Sequence, residues 1–393
     1  MPTINFTFLR DLPLAWLQLK RQPIRYLVAV AGIGFAALLM YMQIGFQSGL
    51  LTSAVTFYQA LDADLVLISP NTVNSGDFSQ FPQSQLFRAK GIVSVKSIVP
   101  LYVANIGAQK LGGTRPTSLR VIGYDPDLKP LKLEQVNNQS YKLKTAGYTL
   151  FDTKGNSGTG PVAKAVEKNG YQQLTLYNLK QTFRVDGLFG LGSTFAADSN
   201  LITSDSTAIQ LADGVNYGEI SLGLIGLTHK KDIIPIQRDL QRLYGDEILV
   251  LTKDELIAKE KNYWNTVSAF GIIFGFGTFM GVLVGAVVVY QVLYTDVTDH
   301  LKEYATLKAM GFSNNFILGI VIQEAVVLGV SSFIPATLLS TGMYAFLANA
   351  SGIEIIMTHQ KISFVGSLTI GVCAVSAMIA LNKLRDADPA SVF

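Results

Sequence analysis

Side chains that could carry out catalysis or bind a metal are scattered along this 393-residue chain. The histidines stand far apart in the sequence, at His229, His300 and His359. This spacing argues against a histidine metal site. The serine of Gly155-Asn-Ser157 is followed two residues later by Thr159, where the nucleophile elbow of hydrolases requires glycine. We therefore predict no catalytic residue, no metal site and no cofactor in this chain.

A nucleotide-binding loop is also missing from the sequence. The P-loop pattern G-x-x-x-x-G-K-[ST] needs a Gly-Lys pair, and the chain contains none. GNSGTGP, residues 155–161, lacks the lysine and the strand-to-helix context, so it is predicted to be a plain turn in an irregular loop. The chain is not expected to hydrolyse ATP itself.

The composition points to a membrane protein. Apolar residues make up 49% of the chain and charged residues 15%, with a mean hydropathy of +0.34. Four charge-poor runs exceed the roughly 20 residues that cross a bilayer. They predict four transmembrane helices, at 26–46, 266–290, 316–347 and 362–381. The first run is longer than the apolar part of a signal peptide and no A-x-A site follows it, which favours an uncleaved anchor.

The basic residues predict the orientation of these helices. Four cations precede the first span, and none follows it until Arg88. The positive-inside rule then places both termini in the cytoplasm. The predicted segments outside the spans are a cytoplasmic or interfacial N-terminal helix (1–25), an external domain (47–262), a cytoplasmic helix (294–315), a short external loop (348–361) and a cytoplasmic tail (382–393). A net charge of +3, partly explained by these flanks, argues against a nucleic-acid partner.

The external residues read as a mixed α+β domain. Predicted strands lie at 64–69, 92–107 with a break at Pro100, 118–124, 182–192 and 247–252. A helix is predicted at 232–245, with Ile236, Leu240 and Leu243 on one face. With Cys373 as its one cysteine, the chain cannot form an internal disulfide, so the domain must be held by packing. A helix over the charge-free run 26–61 would be about 54 Å long, so part of it is expected to project from the bilayer.

Two features of the spans predict helix contacts. Small residues that allow close helix approach recur in the second span, at Gly271, Gly275, Gly277, Gly281 and Gly285. The contact could be with another protomer or within one chain. Glu324 lies in the third span, where a carboxylate costs about 3 kcal/mol, so it should face other helices and not lipid. A structural hydrogen bond is favoured over a proton-coupled role, because no second charged group is found in any span.

A short charged stretch, YTDVTDHLKEYATLKAMGFSNN, separates the second and third spans. Residues 296–310 are good helix formers, and Gly311 can end the helix. One stripe of this helix, apolar for most of its length, consists of Val297, Leu301, Tyr304 or Ala305, and Lys308, and a solvated connector would not need it. The pattern predicts a cytoplasmic helix of about four turns that a cytosolic partner could push.

At these residues the chain resembles the permeases of the MacB and FtsX superfamily of ABC transporters. Their second intracellular helix carries a pattern like E-R-T-R-E-I-G-x-x-[KR]-A-L-G-A. The residues that correspond here are Asp299, Glu303, Ala305, Lys308, Ala309, Met310 and Gly311, with His300 and Lys302 in place of the arginines. The sequence of this stretch is more similar to the permeases of the DevC branch, which is found in cyanobacteria. Two further stretches are also similar to DevC sequences: LFGLGSTFAADSNLITSD (188–205) and LTKDELIAKEKNYW (251–264).

This resemblance implies a type VII ABC permease with four transmembrane helices and a large α+β extracytoplasmic domain. It implies docking of a separate ATPase at Asp299, His300, Glu303, Lys308 and Gly311, with ATP and Mg²⁺ bound by that partner. The implied partners are a DevA-like ATPase, a DevB-like membrane fusion protein, a TolC-like outer-membrane channel, membrane lipid and a second copy of the chain. The implied location is the bacterial inner membrane, and the implied cargo is a glycolipid.

Two alternatives remain open from the sequence. A related permease could regulate cell-wall hydrolases or release lipoproteins, with the same docking of an ATPase. A membrane-anchored enzyme or sensor would use its four spans only to tether residues 47–262.

Overall fold

The computed structural model describes residues 22–108, 117–156, 159–177, 182–194, 196–212 and 214–385. The predicted interfacial helix at 1–25 lies almost entirely outside these residues. The described chain forms two compact units. One is helical and includes described residues of Met1–Gln47, Ile272–Ala345 and Ile356–Phe393; the other contains Ser48–Gly271 and Phe346–Ile355.

The structure has the four apolar helices that the sequence predicts. Each is long and apolar enough to cross a membrane. They are α1 (Pro23–Ala60), α8 (Ala269–Asp299), α10 (Asn314–Ser351) and α11 (His359–Arg385). A short helix, α9 (Leu301–Ala309), lies between α8 and α10 in the sequence. The four long helices extend beyond the predicted spans, because neither proline nor glycine ends them where the apolar runs end.

The core of the helical unit is a single apolar cluster. Its buried side chains come from α1, α8, α9, α10 and α11, and include Ile33, Val289, Tyr304, Val321 and Ala377. Between helices that cross a membrane, close van der Waals packing of such side chains is a main favourable term, because lipid tails are as apolar as the side chains themselves.

The second unit is built on a nine-stranded mixed sheet in the order β11-β1-β10-β3-β4-β8-β5-β7-β6. Its strands are β1 (Leu65–Ile68), β3 (Val95–Ala108), β4 (Thr117–Tyr124), β5 (Tyr148–Asp152), β6 (Gln172–Thr175), β7 (Thr182–Phe189), β8 (Ser199–Ser204), β10 (Leu222–Leu227) and β11 (Leu249–Thr252). A separate pair consists of β2 (Phe81–Pro82) and β9 (Glu219–Ile220). The pairs β4–β8 and β5–β7 are parallel, and the other pairs in the large sheet are antiparallel.

Helices cover both faces of this sheet. They are α2 (Gln83–Arg88), α3 (Glu134–Asn137), α4 (Gly160–Asn169), α5 (Asp205–Leu211), α6 (Ile233–Tyr244) and α7 (Lys253–Asn262). Leu65 and Leu67 of β1 belong to one apolar core, whereas Val66 and Ile68 belong to the core on the opposite face. The first core includes α4, α5 and α6, and the second includes α3, α7 and the end of α1.

Three sequence expectations for this unit are wrong in detail. Pro100 does not break β3, because β4 pairs with β3 only from Tyr102 onward and the missing N–H lies where β3 has one neighbour. Leu243 is 43% exposed, and Tyr244 takes the third buried position of α6. The turn predicted at 155–161 ends earlier, because Gly160 and Pro161 begin α4.

Candidate functional site

The helix α9 is shorter than predicted and separate from α8. The sequence predicts one helix over residues 296–310, but α8 continues from the second apolar run as far as Asp299 and α9 begins at Leu301. His300 is the break between them. Its backbone nitrogen still donates to the carbonyl oxygen of Asp296 at 3.0 Å, and its own carbonyl accepts from Tyr304 at 3.0 Å. The two helices are therefore joined without a flexible linker.

One side of α9 is fixed in the core of the helical unit. Tyr304 is 4% exposed and lies in the apolar cluster with Val297 of α8 and Val321 of α10. Other residues of the segment are exposed, including Lys302, Glu303, Thr306 and Met310. The amphipathic character predicted for this stretch thus corresponds to an anchored face and a free, partly charged face.

The end of α9 is a glycine cap. Gly311 has φ +93°, a left-handed conformation that side-chain-bearing residues rarely adopt. The N–H of Phe312 donates to the carbonyl of Leu307 at 3.1 Å, and the N–H of Met310 donates to that of Thr306 at 3.0 Å. The first of these bonds is the long-range bond of a Schellman motif. The chain therefore leaves α9 in one defined direction before α10 begins.

Charged side chains surround the junction of α8 and α9. Arg25 Nη1 of α1 lies 2.5 Å from Asp299 Oδ2. His300 Nδ1 lies 3.3 Å from Glu303 Oε2, and His300 Nε2 lies 3.8 Å from Asp296 Oδ1. Of the predicted docking residues, Asp299, His300 and Glu303 are thus close together. Lys308 belongs to α9, but its side chain lies outside the described part of the structure.

Glu324 has a carboxyl partner. It is 1% exposed on α10, and the carboxyl group of Asp296, which is 7% exposed on α8, is its neighbour. The structural hydrogen bond expected for Glu324 stays a prediction, but the premise that no second charged group lies in any span is wrong. Because α8 extends past the predicted span, Asp296 belongs to the same continuous helix. Both residues line a small cavity together with Gln22, Arg25, Tyr26, Ala29 and Val292.

The five glycines of α8 do not form one uniform contact surface. A Cβ at Gly277 or Gly281 would lie within 3.0 Å of the side chains of Gln43 or Met40 on α1. A Cβ at Gly285 would lie 3.3 Å from the side chain of Ala36, which is also on α1. At Gly275 it would meet nothing within 4 Å. Gly271 faces the backbone of Asn265 in the turn before α8, so only the later glycines contact α1.

Sequence reasoning missed the roles of Asp296, Arg25 and Tyr304 in this arrangement. For Arg25 and Asp296, the sequence offers one indication, which is their position at the ends of the charge-free runs. Arg25 and Asp296 each bound such a run, and residues at corresponding ends of antiparallel spans lie at similar depth. What the sequence could not specify is which of these groups point toward one another.

The helices α8 to α11 carry a family signature. Residues 268–389 match the model of the FtsX-like permease C-terminal domain. This match supports a permease subunit of the ABC transporter class and the superfamily resemblance predicted from the sequence.

Three solved structures are similar to about half of the chain. The periplasmic region of MacB from Actinobacillus actinomycetemcomitans is 15% identical, with a TM-score of 0.32, over 52% of this chain and 94% of that one. The extracellular domain of the noncanonic ABC-type transporter YknZ from Gram-positive bacteria is 15% identical, with a TM-score of 0.31, over 48% and 99%. A domain of a permease protein from Porphyromonas gingivalis is 12% identical, with a TM-score of 0.28, over 47% and 85%. No curated protein sequence matches the chain.

Proposed function

We propose that this chain is the membrane subunit of an ATP-driven exporter, and that α9 is the docking site for a separate cytosolic ATPase. The observation that carries the proposal is the placement of α9. Tyr304 anchors this short helix in the apolar core of the helical unit, while Lys302, Glu303 and Met310 remain exposed. A rigid helix between two apolar helices can transmit a push to both.

The electrostatics of the exposed face favour a protein partner with complementary charge. The side chain of Glu303 is 64% exposed, next to Lys302 in the sequence and 3.3 Å from His300 Nδ1. Mixed charges on a small surface contribute more to orientation and association rate than to affinity. Glu303 and Lys308 would make the ionic contacts, Asp299 and His300 would complete the docking surface, and Gly311 would set the direction in which α9 ends.

The resemblance to DevC permeases supports the finer part of the proposal. The chain would work as a homodimer in the bacterial inner membrane, with both termini in the cytoplasm and residues 47–262 outside. The partners would be a DevA-like ATPase that binds ATP and Mg²⁺, a DevB-like adaptor and a TolC-like outer-membrane channel. The cargo would be a glycolipid or a similar lipid-like molecule.

The docking site is tested by reversing one charge. Each ABC ATPase subunit of the source genome is co-expressed with the full-length chain, and the subunit whose hydrolysis rate the chain raises is retained as the partner. Glu303→Lys should then abolish the stimulation, while the amount of membrane-inserted protein stays unchanged. Glu134→Lys makes the same change at an exposed position of the other unit and serves as the control.

Three outcomes would contradict the proposal. Stimulation that survives Glu303→Lys would remove α9 from the docking surface. If no ATPase responds to the wild-type chain, and the domain of residues 48–271 keeps a ligand-binding activity after α9 is scrambled, the chain is a membrane-anchored sensor. Recovery of a cell-wall hydrolase in place of an adaptor would favour the hydrolase-regulating permeases.

A further inference from the structure

The helix α7 is bound to the end of α1 through two side chains that lie two turns apart. Lys253 Nζ donates to the carbonyl oxygens of Gln59 at 2.6 Å and Leu61 at 2.7 Å. Gln59 lies in the last turn of α1 and Leu61 directly follows the helix. Carbonyls at the end of a helix lack intrahelical donors, and a cation is favoured there. Glu260, seven residues later on α7, faces the same side. The motif LTKDELIAKEKNYW contains both residues.

Glu260 is a buried carboxylate shared by several segments. It is 3% exposed, and both of its oxygens lie 3.0 Å from the backbone nitrogen of Ser75. Its Oε1 also accepts from Trp264 Nε1 at 2.8 Å, and the hydroxyl of Tyr58 on α1 lies 3.5 Å from Oε2. Trp264 lies in the π-helical turn Tyr263–Val267 that leads from α7 to α8. One carboxylate therefore contacts the end of α1 and the start of the path into α8.

Arg120 joins this group from the centre of the sheet. It is 0% exposed on β4, and its Nη2 donates to the carbonyl oxygen of Ser75 at 3.0 Å. Its guanidinium lies 5.5 Å from the ring centroid of Phe57 on α1. Burial lowers the pKa of Arg120, and the neighbouring Tyr58 and Glu260 oppose this shift. The backbone of Ser75 thus bridges a buried cation and a buried anion.

The buried charges of Arg120 and Glu260 are not explained by stability alone. Removing two opposite charges from water costs several kcal/mol, and apolar side chains of similar volume often stabilise a core as well or better. Buried ionic groups can instead specify one geometry, because each bond requires its partner at a set distance and angle. Here the specified geometry is the placement of α1 and α7 on the sheet.

We propose that Arg120, Lys253 and Glu260 are positioning residues that hold α1 and α7 in one register on the sheet, so that a displacement of either helix moves the sheet. The inference rests on the proposed function, in which α1 and α8 are membrane helices displaced by the ATPase. The α1–α7 clamp, as we name these three residues, would carry that displacement into residues 48–271.

The clamp is tested by hydrogen exchange in the full complex. The chain and its partner ATPase are placed in phosphatidylethanolamine–phosphatidylglycerol nanodiscs, and exchange is compared without nucleotide and with ATP plus vanadate. Peptides from α9 report docking, and peptides from β4 and β10 report transmission. The variants are Lys253→Met, Glu260→Gln, and the double variant Arg120→Met with Glu260→Leu.

Asp152→Asn provides a matched control. Asp152 is also a buried carboxylate of the sheet, with bonds to Leu191, Gly192 and Asn200, and these partners belong to neither α1 nor α7. The wild-type chain and this control should show nucleotide-dependent exchange in both sets of peptides. The clamp variants should keep the α9 change and lose the change in β4 and β10. The double variant should melt within about 4 °C of the wild-type chain, since it removes both charges together.

Each outcome has a distinct meaning. The inference is overturned if the nucleotide-dependent exchange in β4 and β10 persists in all three clamp variants. It is also overturned if this exchange is lost in Asp152→Asn alone, or in every variant including that control. If α9 of the wild-type complex does not respond to nucleotide, the proposed function fails, and the inference that depends on it fails for that reason.

Discussion

Arg25 on α1 forms an ion pair with Asp299 at the end of α8, with 2.5 Å between Nη1 and Oδ2. The two residues are 274 positions apart in the sequence, and each side chain is more than a third exposed. Such a pair contributes little to stability, on the order of 0–1 kcal/mol. The pair instead fixes the position of one side chain relative to another, since it connects α1 to Asp299, the last residue of α8.

This ion pair predicts a small, salt-sensitive coupling energy. A double-mutant cycle of Arg25→Ala and Asp299→Ala should give about 0.2–1 kcal/mol at low salt and almost none at about 1 M salt. Thermal unfolding in nanodiscs measures it. The more exposed pair Lys144–Asp127, also 2.5 Å long, is the control and should couple less. A salt-independent energy above about 2 kcal/mol would contradict the assignment of a half-exposed pair.

The contact between Asp296 and Glu324 predicts that the two residues depend on one another. Two carboxyl groups form a hydrogen bond only when one supplies a proton, so Glu324→Gln should be tolerated because an amide can donate instead. Glu324→Ala should lower the free energy of unfolding by about 1–3 kcal/mol, because it leaves Asp296 buried without this partner.

Thermal unfolding of single and double variants separates this contact from simple burial. Asp296→Ala combined with Glu324→Ala should cost less than the sum of the single changes. Strict additivity of the two losses would mean that the carboxyl groups do not interact.

The cap at Gly311 predicts a backbone effect on the proposed docking helix. A Cβ at this position meets nothing within 4 Å, so Gly311→Ala costs energy only through φ +93°, about 1–2 kcal/mol. The exit of α9 should then fray, and stimulation of the ATPase should fall. Gly91→Ala is the control, since its Cβ is equally free and its φ is not in the left-handed region. Equal stimulation by both variants would show that the cap does not matter for docking.

The glycines of α8 predict a contrast between neighbouring turns. Gly281→Leu should disrupt packing against Met40 of α1 and lower the melting temperature, because the added Cβ would lie 2.9 Å from that side chain. Gly275→Leu should leave the melting temperature unchanged, since its Cβ meets no neighbour within the described chain. Cross-linking in membranes provides a second readout. Loss of a dimer in Gly275→Leu alone would assign this glycine to a protomer interface.

Several elements could be read from the sequence because their signal is local. The absence of charge over long runs predicts α1, α8, α10 and α11, and β-branched content predicts β1 and β4. The strands β5, β8 and β10 are not predicted from the sequence, and in β8 and β10 asparagine or glycine weakens the β propensity. Pairing with neighbours inside the sheet supplies the stability that the local sequence lacks.

The candidate site was only partly predictable for the same reason. Composition and helix-forming residues locate α9, and the glycine at its end is visible in the sequence. The burial of Tyr304 and the partnership of Asp296 with Glu324 depend on residues from other helices. A pattern of residue types along one helix cannot specify which side chain of another helix faces it.

By itself, the sequence determined that this chain has four apolar helices, a mixed α/β unit and a short charged helix between the second and third apolar runs. These properties follow from hydrophobicity and helix propensity, which act over neighbouring residues. Only the tertiary structure decided that Tyr304 is the anchor of α9, and that Arg120 meets Glu260 across the backbone of Ser75. Such contacts join residues far apart in the chain, and their free energy exists only when the folded backbone brings them within bonding distance.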